Sequence, residues 1–162
     1  RSIAGQQISV KAADSVWGRM MTGLGVMTPD AILSAPVDTL RGFGLSGSKV
    51  TYLKALAEYF TTHPHLVEQL PQMDDREVIA ALTSIHGIGR WSAEMFLIFN
   101  LARPDVFPLT DIGLQKAIFI YYNQGEKMPL PMIRKIGERF APWRSVATWY
   151  LWRALDPVPV AY

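Results

Sequence analysis

The sequence predicts an all-α fold, a single helical domain. Three observations carry that expectation. Apolar residues recur at helical spacing almost throughout, no run alternates as a half-buried strand would, and helix caps and stops punctuate the chain at short intervals. A first helix is expected over residues 3–21, with Ile3, Ile8, Ala12, Val16 and Met20 as its apolar stripe and Gly23-Leu24-Gly25 as its stop. Thr28-Pro29-Asp30 reads as a cap followed by proline in the first turn of a short helix. Another short helix is expected around residues 37–41. Residues 42–47 form a turn, after which Ser46 or Ser48 caps a helix reaching Phe60, with Val50, Leu53, Leu56, Ala57 and Phe60 on its apolar face. Beyond Pro71, Asp74-Asp75 open a helix carrying Val78, Ile79 and Leu82. The turn Ile85-His86-Gly87-Ile88-Gly89 leads into a helix ending near Asn100. A proline-bearing loop over 104–108 precedes helices over 111–122, 131–140 and 143–155.

Composition narrows the possible functions. The chain has 162 residues, 49% apolar and 19% charged, enough to bury a real core and too apolar for a disordered segment. Every apolar run is broken well short of a membrane span. The net charge of +2 and a pI near 9.0 give mild support to a polyanionic partner. Cysteine is absent, which excludes disulfides, thiolate nucleophiles, cysteine-ligated zinc and iron–sulfur clusters in this chain. His63, His65 and His86 lack metal-site spacing, and His63-Pro64-His65 reads as a loop. Nothing resembles a signal peptide, so a cytoplasmic, nucleoid-associated protein in a prokaryote, or a nuclear one in a eukaryote, is expected. The chain begins at Arg1 without an initiator methionine, and Arg1-Ser-Ile-Ala-Gly-Gln-Gln7 reads like a helix interior, which implies an absent N-terminal segment.

The most informative stretch is Leu82-Thr-Ser-Ile-His-Gly-Ile-Gly-Arg-Trp-Ser-Ala-Glu94. Two helices meet at a tight turn with glycines two apart. Gly87 and Gly89 admit unusual backbone angles and let a group approach closely. The amides that open the second helix suit a phosphate oxygen, and Arg90 adds charge beside them. Gly-x-Gly alone is an ordinary helix–helix turn. With its apolar-x-Gly-apolar-Gly-Arg surroundings over about residues 74–100, it resembles a helix-hairpin-helix motif, which holds a nucleic-acid backbone without reading sequence. Downstream, Asp111 opens a helix after the proline-bearing loop. Locally it is an N-cap, and the helix dipole can hold such a carboxylate ionised.

Together these segments make the resemblance specific. A helix-hairpin-helix with an Asp 22 residues after Gly89 (111 − 89 = 22) resembles the HhH-GPD superfamily of DNA glycosylases. The finer similarity is to the 3-methyladenine DNA glycosylase II family, in the alkylation-repair branch. It is carried by residues 1–9, by Gly44-Leu-Ser-Gly-Ser-Lys-Val-Thr-Tyr-Leu53, by the hairpin with Trp91, and by Pro142-Trp-Arg-Ser-Val-Ala147. The resemblance implies one HhH-GPD domain over residues 1–162. It makes Asp111 the catalytic carboxylate and lines the base pocket with Trp91, Met95 and Trp152. It also implies that Gln6 or Gln7 fills the gap left by an extruded nucleotide, a choice the sequence leaves open. DNA contacts are expected from Gln6, Gln7, Lys49, Gly87, Gly89 and Arg90. The carbonyls of Thr83, Ile85 and Gly87 are a candidate seat for Na+ or K+, with no other cofactor required and no iron–sulfur cluster. Two positions depart from the family pattern: His86 stands where proline is usual, and Thr110 stands where an acidic residue often precedes the Asp. The family's larger bacterial members also carry an N-terminal domain that this sequence does not include.

Bifunctional relatives place a nucleophilic lysine two residues after the second hairpin glycine, and here that position is Trp91. The resemblance therefore implies a monofunctional glycosylase acting on alkylated purines of the 3-methyladenine and 7-methylguanine type. It would flip the damaged nucleotide out of double-stranded DNA and leave an abasic site for a downstream endonuclease. An alkylated ring nitrogen makes the purine cationic, so the base departs neutral while positive charge grows on the sugar, where Asp111 would act. The expected protein is a monomer with no membrane partner. The alternatives are a glycosylase of the same fold acting on deaminated or oxidised purines, and a helix-hairpin-helix binding module without activity. Retention of Asp111 speaks against the last.

Overall fold

The computed structural model describes residues 2–155, and among these it is all-α, as the sequence predicts, with eleven α-helices and no strand. They fall into two compact units, one ending at Gly89 and the other beginning at Arg90. No helix among the described residues is long and apolar enough to cross a membrane.

The first unit opens with a correction. The expected helix over residues 3–21 is two helices, α1 (Ser2–Gly5) and α2 (Val10–Leu24), separated by a corner. Arg1, expected inside the first helix, lies outside the described residues. Gln7 adopts a left-handed conformation (φ 57°), and the Ser9 side chain accepts from Ala12 N to cap α2. A serine offers its oxygen to nearby backbone amides more readily at a helix start than inside a helix, so Ser9 favours the break. The predicted stripe divides accordingly. Ile3, Val16 and Met20 are buried, whereas Ile8 and Ala12 are exposed.

The other boundaries of this unit follow the sequence closely. Thr28 caps α3 (Pro29–Ser34), and α4 spans Val37–Gly42. Ser46, not Ser48, caps α5 (Gly47–Thr62) by accepting from Lys49 N. Val50, Leu53 and Ala57 of α5 join Met20, Ile32 and Leu40 in the core. Lys54 donates from Nζ to the carbonyls of Leu33 and Ala35 (both 3.0 Å), so α5 satisfies acceptors left open at the end of α3. A short helix α6 (Leu66–Gln69) and a 3₁₀ turn (Leu70–Gln72), neither expected, are anchored by buried Leu66 and Leu70. Asp74 and Glu77 then form a reciprocal capping box on α7 (Asp75–Thr83).

The glycine turn after α7 is closed by Ile88 N donating to the Ile85 carbonyl (3.0 Å). Gly87 has φ 89°, and a Cβ there would run into the Tyr52 ring of α5. His86 sets its ring edgewise against the same tyrosine, 5.1 Å between centroids. Tyr52 is thus the floor on which the turn is moulded, and only glycine suits position 87.

The second unit comprises α8 (Arg90–Phe99), α9 (Ile112–Tyr122), α10 (Leu130–Glu138) and α11 (Arg144–Leu155). Leu114, Ile118, Met128 and Ile133 form a buried core, with Phe107 and Leu151 packed against it. The loop before α9 is clasped to the start of α11. Arg144 donates from Nε and Nη2 to the two oxygens of Asp105 (2.7 and 2.8 Å), and its backbone amide also reaches Asp105 Oδ1. Buried Ser145 receives Val106 N, donates to the Arg103 carbonyl at 2.6 Å, and gives its own amide to Pro104 O. The Pro142-Trp-Arg-Ser segment that helped define the resemblance is therefore a fastening. The hydrogen bond from Arg144 is the main reason that Asp105's carboxyl sits below its ordinary range.

Two outcomes are expected. Gly87→Ala should cost about 1–3 kcal/mol, because it adds left-handed strain to a collision with Tyr52. Urea unfolding measures this, and a change below about 0.5 kcal/mol would show that the turn has slack. Because the native pKa of Asp105 is lowered, its contribution is present above the unfolded carboxylate value and is lost as pH falls through the folded one. Asp105→Asn should therefore lower Tm at pH 7, with the gap to wild type narrowing as pH falls through the carboxylate range. A gap that persists unchanged in acid would rule out the ion pair as its source.

Candidate active site

Asp111 lies at the N-terminus of α9 and does more than cap it. Its Oδ1 accepts the Leu114 backbone amide (2.6 Å) and the Trp152 indole N–H (2.8 Å), and its Oδ2 accepts the Trp91 indole N–H (2.8 Å). A carboxylate offers about four acceptor positions, so three are taken and one on Oδ2 is left. The donors come from α8, α9 and α11. Each indole has one N–H that needs a partner when half-buried, and both point at the same acidic group.

The scaffold around this clasp is tight. Gly113, in the first turn of α9, passes so close that a Cβ would lie 3.2 Å from Asp111 Oδ1 and 3.3 Å from the Trp152 ring. Phe99 stacks on Trp152 with centroids 6.0 Å apart and planes 17° from parallel. Gln115 reaches back to the Leu109 carbonyl (2.9 Å), and Asp111 N donates to Pro108 O, so the approach to α9 is bonded on both sides. Pro108 is fully buried.

The sequence-predicted residues separate into groups. Asp111, Trp91 and Trp152 come together. Met95 is on α8 one turn beyond Trp91 but is only 5% exposed, and so offers a pocket little surface. Arg90 is the first residue of α8, with a well-exposed side chain, and its Nε donates to Glu94 Oε1 at 2.9 Å. Glu94 is buried, its second oxygen has no hydrogen-bond partner, and burial pushes its carboxyl above the ordinary range against the pull of Arg90. Lys116, downstream on α9, is exposed.

In the first unit, Gln6 is half-buried, and its amide lies 3.5 Å from the Gly87 carbonyl, whereas Gln7 is exposed. Lys49 turns its amine inward to the Ala4 carbonyl at 2.8 Å, and desolvation there pulls its pKa down. Gly89 is exposed at the end of the turn. Of the three candidate cation carbonyls, that of Ile85 closes the turn and that of Gly87 faces Gln6. A carbonyl has two lone pairs, so each of these two retains one acceptor position. Among the described residues no cluster of His, Asp or Glu has the makings of another metal site.

Sequence reasoning missed Gly113, Gln115, Glu94 and the inward turn of Lys49. The only advance signal was a pair of tryptophans whose N–H groups require acceptors. It treated Trp91 and Trp152 as stacking faces, and the structure adds their edges as donors.

Comparison with known proteins identifies the family. Residues 1–142 match the family model of HhH-GPD superfamily base excision DNA repair proteins. DNA-3-methyladenine glycosylase 1 of Schizosaccharomyces pombe is 36% identical over 160 residues, covering 94% of this chain and 69% of that protein. The crystal structure of a Bacillus halodurans DNA-3-methyladenine glycosidase superposes with TM-score 0.86 at 34% identity, covering 96% of this chain and 72% of the other. The Schizosaccharomyces pombe 3-methyladenine DNA glycosylase in complex with abasic DNA gives 0.85 at 32% identity, with coverages of 99% and 80%. Two further curated relatives, from Bacillus subtilis and Saccharomyces cerevisiae, are spanned over only 45% and 64% of their length. The chain belongs to the HhH-GPD superfamily of base excision DNA repair proteins, and within it to the 3-methyladenine DNA glycosylase family.

Proposed function

We propose that this protein hydrolyses the N-glycosidic bond of alkylated purines in double-stranded DNA and leaves an intact strand with an abasic site. The observation that carries the reading is the Asp111 carboxylate, held by three N–H donors with one acceptor position free on Oδ2. Such a group acts by charge and position. It faces the positive charge that develops on the sugar and orients the attacking water with its remaining lone pair. A base already made cationic by alkylation leaves without a general acid, which agrees with 3-methyladenine and 7-methylguanine as substrates. Trp91 and Trp152 present indole rings beside the carboxylate, suited to stacking on an electron-poor base.

Exposure supports the reading of the remaining roles. Gln7 is the better wedge for the vacated stack, since it is exposed at a left-handed corner while Gln6 turns toward Gly87. The turn at Gly87 and Gly89 is the phosphate-binding segment, and Arg90, exposed at the head of α8, adds a charge for the backbone. The carbonyls of Thr83, Ile85 and Gly87 would hold Na+ or K+, which would add positive charge for a phosphate. Trp91 in place of an amine argues against strand cleavage, so an abasic-site endonuclease would take the product.

Wild-type protein incubated with methylated duplex DNA should release 3-methyladenine and 7-methylguanine, with strand breaks only after alkali. Asp111→Asn should slow release by about 10²–10³-fold. Breaks without alkali would overturn the monofunctional reading. No release by a folded protein that binds DNA in a salt-sensitive manner would move the substrate to another lesion or leave a binding module. Trp91→Phe and Trp152→Phe keep an aromatic face but lose the N–H, and each should slow single-turnover release by about tenfold, equivalent to roughly 1.4 kcal/mol. Unchanged rates in both would show that the indole donors do not set the carboxylate.

A further inference from the structure

Lys49 lies in the first turn of α5, where a cation works against the helix dipole. It is also half-buried, and its amine is spent on a single internal acceptor, the Ala4 carbonyl at 2.8 Å. That carbonyl belongs to the last turn of α1. Its neighbours are already satisfied by backbone amides, Ile3 O by Gln6 N and Gly5 O by Ile8 N. Lys49 therefore completes the end of the helix from which the Gln6-Gln7 corner departs. One turn further along α5, Tyr52 sits against Gly87 and His86. Residues three apart share a helix face, so one face of α5 supports both the glutamine corner and the glycine turn. The Gln6 amide near the Gly87 carbonyl closes the same circuit from the other side.

We propose that Lys49 is a positioning residue that sets the Gln6-Gln7 corner for insertion into the DNA stack, acting through the carbonyl at the end of α1, and is not a phosphate contact. The proposal rests on the glycosylase reading above. A left-handed glutamine has alternatives close in energy, and a corner free to relax inserts less often. The cost falls on substrates whose lesion must be pulled from a paired stack and spares those whose partner base is already missing.

The experiment compares single-turnover excision of 7-methylguanine placed opposite cytosine and opposite an abasic site, for wild type, Lys49→Met, Lys49→Arg and Gln7→Ala. Base release by the wild type checks the glycosylase reading by itself. Lys49→Met should lower the paired-to-unpaired rate ratio at least fivefold, and Lys49→Arg, which retains a donor, should restore most of it. Gln7→Ala should lower the ratio similarly, and the double variant Lys49→Met/Gln7→Ala should fall no further, since both act on one step. The salt dependence of DNA affinity should keep its slope in Lys49→Met. An equal loss on both substrates together with a slope reduced by about one would make Lys49 a phosphate contact and overturn the proposal. Full additivity in the double variant would overturn it too.

Discussion

The structure of the second unit depends on how a half-buried carboxylate is held. Asp111 accepts from two indoles and one backbone amide, and those three donors reside on three different helices. Each neutral N–H stabilises negative charge without cancelling it. A lysine or arginine in the same place would neutralise the field that a cationic transition state needs. Dipoles aimed in advance cost no reorganisation when charge develops, which is why such an arrangement suits a residue that works electrostatically. The cation on α8 is Arg90, whose Nε is held by Glu94 while its side chain stays exposed.

Holding three donors on one acidic group requires that their helices keep register, and the surrounding bonds address that. Arg144 grips Asp105 with two side-chain bonds, and Ser145 ties together carbonyls and an amide of the same loop. This joins the loop before α9 to the start of α11, which carries Trp152 two turns later. Gly113 leaves room for the indole to reach the carboxylate, and Gly137 leaves room for Phe107 to pack on α10. Small residues here act by what they allow nearby side chains to do.

The helical class and most helix starts were legible in the sequence because caps are local. Thr28, Ser46, Asp74 and Asp111 all bond within three residues of themselves. The break between α1 and α2 was misread because Ile3, Ile8, Ala12 and Val16 approximate a continuous helical stripe, and only the balance between Ser9 as cap and Ser9 as interior residue decides against it. Asp111 was legible as a carboxylate at a helix start, and its two tryptophans as aromatic neighbours. Their convergence on its oxygens was not legible, because spacings of 20 and 41 residues carry no directional information. Lys49 was read as a DNA contact, and no local pattern distinguishes that from an amine turned inward to a carbonyl 45 residues away.

The two units use contrasting chemistry. In the first, the features for which a function is proposed are matters of backbone shape: the left-handed Gln7 and the left-handed Gly87, with Tyr52 of α5 against Gly87 and Lys49 of α5 on the Ala4 carbonyl. In the second they are matters of charge: one clasped carboxylate, a buried acid paired with an exposed arginine, and indoles serving as donors. Backbone shape suits the handling of a polymer whose repeating groups are alike, since such contacts are indifferent to sequence. A single oriented charge suits a reaction whose leaving group has already been activated by damage. In the proposed reaction the lesion itself activates the leaving group, so discrimination against undamaged bases would not have to come from shape alone. An ordinary purine placed beside the same carboxylate still departs as an anion, and nothing in the Asp111 clasp stabilises that.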